Sequence, residues 1–154
     1  METVIASAIA VLGTLLGSGI TMAFQHRTTD MSHQFTRREK LRQERLDAYS
    51  AYAGALVNYR RCLVRLWFCE HEQPPPEDPD AVRIHAYDLR SSAQEALFRV
   101  QMLTEDETLG QAAEDVLADI ATVSKAESRA EYDALRERTR DAISRLVRTA
   151  KHHL

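Results

Sequence analysis

At 154 residues, 28% of them charged, the chain is long enough for one modest domain with a real core and polar enough to meet water on most faces. The net charge of −3 gives no bulk attraction to nucleic acid, which is not expected as a partner. No internal repeat, low-complexity tract or run of strand periodicity appears, and all four prolines fall between Pro74 and Pro79.

The first predicted element is the stretch Val4 to Phe24, which holds no charged residue. As a helix it would be about 31 Å long at ~1.5 Å per residue, against a hydrocarbon core of ~30 Å, so it reads as a single transmembrane helix. A secretory signal would need a basic start, and only Met1, Glu2 and Thr3 precede the run. A surface-lying amphipathic helix would need a charged face, and none is present. Arg27, Arg37, Arg38, Lys40, Arg42 and Arg45 follow the run, and only Glu2 and the α-amino group precede it. The positive-inside rule then predicts a plasma-membrane protein with its N-terminus out and its C-terminal domain cytoplasmic. Arg27, Arg37, Arg38 and Lys40 are candidates to contact lipid headgroups. Ala6, Ala10, Gly13, Gly17 and Thr21 recur at spacings of three and four, a small-residue face through which two such helices can associate.

Residues 1–25 are thus expected to be an anchor, 26–45 a basic juxtamembrane helix with a break near Thr28 to Ser32, and 46–154 a helical bundle. From Gln25 to about Cys69 no proline interrupts a run of good helix formers. Leu46, Tyr49, Tyr52, Leu56, Tyr59, Leu63 and Trp67 form a wide apolar stripe, read as a bundle or interaction surface, with Arg60, Arg61 and Arg65 snorkelling at its rim. The proline-rich connection at 73–79 cannot continue a helix and reads as a stiff spacer. Asp78 and Pro79 make a cap and first-turn pair for a helix over 79–103. Its main stripe is Val82, Ala86, Leu89, Ala93, Ala96, Val100 and Leu103, with Ile84, Tyr87, Phe98 and Met102 as a weaker second edge. Thr104 with Glu107 matches a capping box for a third helix, in which Gly110 marks a bend or close packing. Ser124 with Glu127, or Ser128 with Glu131, caps a fourth that runs to about Ala150 with the stripe Tyr132, Leu135, Thr139, Ala142, Ile143, Leu146 and Val147.

Chemistry-bearing patterns are few. Cys62 and Cys69 stand two helical turns apart, about 10 Å, too far to bridge one another, and read as small core residues rather than a metal pair completed by His71. His85 falls near the apolar face of its helix. No HExxH, nucleophile elbow, phosphate loop or dinucleotide motif occurs. No enzyme activity, metal or cofactor is expected. The arginines of the last helix alternate with Glu131, Asp133, Glu137 and Asp141, a solvated mixed-sign face.

The apolar anchor followed by Arg37-Arg38-Glu39-Lys40-Leu41-Arg42-Gln43-Glu44-Arg45-Leu46-Asp47-Ala48-Tyr49 resembles small single-pass membrane proteins of high-GC Gram-positive bacteria. The resemblance covers the first third of the chain and implies topology only. Fold and motifs together predict an all-α, membrane-anchored bundle acting as a non-enzymatic scaffold, adaptor or regulator. Its expected partners are a second copy of itself and an unidentified protein. The alternatives are a phage spanin-like or envelope protein with its helical body outside the membrane, and, with no motif to support it, an enzyme.

Overall fold

The computed structural model describes residues 34–154 in full and, for residues 2–33, the helical assignment alone. Four α-helices and one short 3-10 turn make up the chain: α1 (Glu2–His71), α2 (Pro79–Leu103), α3 (Glu107–Ile120), the 3-10 turn Val123–Lys125, and α4 (Arg129–Lys151). No strand occurs among the described residues. The chain divides into two compact units, Met1–Leu41 and Arg42–Leu154. In the first, the described side chains from Gln34 to Leu41 are all exposed, Arg37, Arg38 and Lys40 among them.

The membrane reading is corrected. No helix among the described residues is long and apolar enough to cross a membrane. The physical reason is composition. From residue 34 onward charged side chains recur along every helix, and the longest uncharged run, 48–59, falls well short of the ~20 residues a span requires. A single-pass plasma-membrane location, N-terminus out and C-terminal domain cytoplasmic, is therefore not supported. The expected break near Thr28 is not found, since α1 is assigned as one helix from Glu2 to His71; the span Val4 to Phe24, the association face Ala6, Ala10, Gly13, Gly17 and Thr21, and Arg27 lie outside the fully described residues.

The second unit is a helical bundle whose core is built by residues at helical spacing. Tyr52, Leu56, Tyr59, Leu63, Leu66 and Trp67 of α1 are buried together with Leu97 of α2, Leu109 and Ile120 of α3, and Tyr132 of α4. Each such side chain contributes about 1.5–3 kcal/mol on removal from water, which offsets the entropy of ordering the four segments. α3 packs against both α2 and α4.

Local chemistry sets where the helices begin. Pro79 opens α2, and the Asp78 carboxylate accepts the Asp80 amide at 3.1 Å, so the helix starts and ends where its stripe predicts. The third helix starts differently from the expected capping box. Asp106 is its cap, accepting from the Thr108 and Leu109 amides at 2.8 and 3.4 Å. Thr104 instead closes α2, its amide bonding to the Val100 carbonyl at 2.9 Å. Ser128 caps α4 by accepting the Glu131 amide at 3.2 Å, and the Glu131 carboxylate reaches back to the Glu127 amide at 2.9 Å. A Cβ added at Gly110 would meet only ordinary contacts at 4.0 Å, so neither a bend nor close packing requires glycine there.

Candidate interaction surface

Placement of the α1 stripe decides where a free surface remains. Tyr49, Tyr52, Leu56, Tyr59, Leu63 and Trp67 all point into the chain's own core, whereas Leu46 is exposed. The Tyr52 hydroxyl donates to the Ala113 carbonyl at 2.8 Å, and Trp67 Nε1–H donates to the Ala126 carbonyl at 2.9 Å. Trp67 stacks on Tyr132 at 4.2 Å and on His71 at 4.3 Å between ring centroids. The Arg129 guanidinium lies 5.4–5.8 Å from the centroids of Trp67, Phe68 and Tyr132. Arg129 thus lies at the edge of a stacked aromatic cluster within cation–π reach, with 61% of its side chain exposed. His71, expected at or past the helix end, is the last residue of α1, with Nδ1 2.9 Å from the Trp67 carbonyl oxygen.

Other chemistry-bearing side chains are likewise engaged. Arg45 donates from Nε to the Leu103 carbonyl at 2.9 Å and pairs with Glu105 at 2.9 Å, tying α1 to the α2–α3 turn. Arg60 leaves the rim for a half-buried position, where its Nε donates to Thr139 Oγ1 at 3.0 Å. Burial, and Arg136 beside it, push the Arg60 guanidinium below its ordinary value. Cys62 and Cys69 are free, buried thiols, and burial pushes the Cys62 thiol up. Among the described residues no three His, Cys, Asp or Glu side chains converge as a metal site. His85 is exposed, not packed on the apolar face.

On α2 the main stripe is spent on the core: Val82, Ala86, Ala93 and Val100 are buried, Leu89, Ala96 and Leu103 pack half-buried against it, and Leu97, outside the predicted stripe, is buried with them. The second edge faces outward, with Ile84 and Tyr87 each 64% exposed, Phe98 53% and Met102 78%. At about 3.6 residues per turn these four fall on the side of the helix opposite the buried row, with Ser91 and Glu95 between them on the same side. In two clusters, Ile84–Tyr87 and Phe98–Met102, they leave on the order of 400 Å² of apolar surface in water. Sequence periodicity shows both rows, but only packing reveals which row is used. A second apolar feature is a cleft of about 390 Å³ lined by Leu46, Tyr49 and Ala53 of α1 and Leu146, Val147 and Ala150 of α4.

The arrangement defines a small all-α bundle protein that keeps one apolar helix face outside its own core. The chain belongs to the KilB plasmid transfer protein family, which it matches over residues 46–154. Protein KilB of Streptomyces lividans is 32% identical over 102 residues, an overlap covering 64% of this chain and 65% of that protein. The chain thus spans 65% of the length of this curated relative. No solved structure matches it. The matched span holds the whole outer face of α2. The Streptomyces relative agrees with the high-GC Gram-positive part of the resemblance drawn from the sequence, and neither it nor the family carries the membrane part.

Proposed function

We infer that the chain is a non-enzymatic accessory protein of plasmid transfer that works through protein–protein contact. Family membership supplies the process. One observation supports the mode of action: α2 holds four large apolar side chains in water on the face its own bundle does not use. Folding gains nothing from that row, and a solvated helix face has no need of it. A reading in which the protein grips DNA is less well supported. Arg129 pairs with Asp133, Arg138 with Asp119, and Arg140 with Glu137 and Asp141, so α4 offers mixed charge rather than a cationic stripe.

Plasmid transfer frequency between mating strains tests this. Phe98→Glu or Met102→Glu in the full chain should lower transfer at least about tenfold, since a buried unpaired carboxylate in a contact surface costs more than ~1.4 kcal/mol. Ala134→Glu, at an exposed position on α4, should leave it unchanged. Parental transfer by a folded Phe98→Glu protein refutes the reading.

A further inference from the structure

We propose that the cleft between α1 and α4 is a binding site for a single-chain anionic amphiphile: an acyl chain of about ten carbons with a carboxylate or phosphate head. The site is separate from the outer face of α2 and does not rest on the contact reading above. It follows from the way the two helices meet. Trp67 stacks on Tyr132, and seven residues back along α1 and seven forward along α4, Arg60 meets Thr139. A further step of the same length brings Ala53 level with Leu146, and both line the cleft. Ala113 and Ala150 line it too, so methyl groups stand where a closed layer would need side chains the size of Leu or Trp. The apolar stripes of both helices run on past this point, which leaves Leu46 and Val147 partly exposed in its lining.

Size and lining set the chemistry of the occupant. At about 390 Å³ the cleft lies within the ~300–1,000 Å³ of small-molecule sites. At ~30 Å³ for a water-sized group it holds on the order of ten carbons, one short acyl chain and not the two long chains of a phospholipid. The charged side chains that line it are Arg148 and Lys151, and no Asp or Glu joins them. They stand about one turn apart on α4, both exposed, and neither has a side-chain partner among the described residues. A helix C-terminus favours cations of itself. Here they also border an apolar hollow, which therefore accepts an anionic head and rejects a cationic one. Two phenols line the cleft as well. Tyr52 is tied to the Ala113 carbonyl, whereas the buried hydroxyl of Tyr49 has no partner among the described residues. A buried hydroxyl left unpaired is destabilising, and a ligand oxygen can supply what it lacks.

Isothermal titration of the full chain at low salt, with each amphiphile below its micelle concentration, tests this, and circular dichroism checks that each variant is folded. Decanoate should bind about tenfold more tightly than decyltrimethylammonium, which carries the same length of chain and the opposite charge, and added salt should narrow the difference. Arg148→Glu/Lys151→Glu, at exposed positions, should reverse that order. Ala53→Phe, which puts a ring into the hollow, should weaken decanoate at least about tenfold while its urea midpoint holds or rises. Phe98→Glu changes no residue of the cleft and should bind decanoate as the parent does, so this proposal and the contact reading fail separately. Decanoyl lysophosphatidylglycerol offers a similar chain on a phosphodiester. If it binds more tightly than decanoate the source is a single-chain membrane lipid, and if less tightly a free fatty acid; either result supports the site. No binding of decanoate, equal binding of the two opposite head groups, or decanoate binding kept by folded Ala53→Phe would overturn it.

Discussion

The tie between Arg60 and Thr139 joins α1 to α4 through a polar contact inside an apolar seam, and its strength is measurable. Thr139 is fully buried, donates from Oγ1 to the Leu135 carbonyl at 2.8 Å and accepts from Arg60 Nε at 3.0 Å. Thr139→Val keeps the volume and removes both roles. A hydrogen bond to a charged group contributes about 1.5–3 kcal/mol. Arg60 is half-buried and keeps a second acceptor, the Arg136 carbonyl, so the low end applies. The valine methyl returns part of about 0.8 kcal/mol. The expected net loss is about 1 kcal/mol, read as a lower urea midpoint with an unchanged slope. In a double-mutant cycle with Arg60→Met, roughly 1 kcal/mol of coupling should appear and should hardly change with salt. Coupling near zero, or coupling that vanishes in high salt, would show that the contact behaves as an ordinary solvated surface pair and would refute the argument.

Two tyrosines should respond oppositely to loss of the hydroxyl. Tyr132→Phe should be neutral or stabilising by up to about 1 kcal/mol, because its buried hydroxyl has no partner among the described residues. Tyr52→Phe should cost about 1 kcal/mol, because it gives up the bond to Ala113; urea unfolding compares the two. Burial raises the phenol pKa of Tyr52, with Glu114 adding to it, and burial likewise raises those of Tyr59 and Tyr132. A folded-state pKa above the unfolded one gives stability that is complete below the ordinary value of about 10 and is lost as pH rises past it. The urea midpoint should therefore fall above about pH 10, and the tyrosinate absorbance of Tyr52, Tyr59 and Tyr132 should rise with unfolding rather than before it. Cys62 and Cys69 should react with a thiol reagent only as fast as the chain opens, since both are buried, and equally fast in urea; rapid labelling of the native protein would contradict their placement.

How much of the fold is legible in the sequence depends on how local each signal is. Asp78 and Pro79 act within a few residues, so the start of α2 can be read from the residues alone. The start of α3 cannot. Three acids in a row, Glu105, Asp106 and Glu107, offer competing caps, and the choice of Asp106 depends on Thr104 being held at the end of α2. The role of Arg60 is hidden for a similar reason. Its acceptor, Thr139, lies 79 residues away on another helix and reads, from periodicity, as one more member of an apolar stripe.

The outer face of α2 illustrates the harder case. A helix with two apolar rows looks, in sequence, like one helix with a strong face and a ragged edge, because periodicity records spacing and not what fills the opposite side. α1 has the wider stripe of the two and is, on periodicity, the better candidate for a partner. Yet once Tyr49 through Trp67 close on Ala113, Ala126 and Tyr132, little of that stripe is left for another chain beyond Leu46 and the α1 wall of the cleft at Tyr49. The row on α2 has no such neighbour. Burying it against a partner would gain ~25 cal/mol per Å² over roughly 400 Å², on the order of 10 kcal/mol before the costs of association are subtracted. Those costs, together with the desolvation of Ser91 and Glu95 within the face, consume most of the gain. A polar centre of this kind lowers the affinity of a contact and raises its selectivity for a partner that can pair with it.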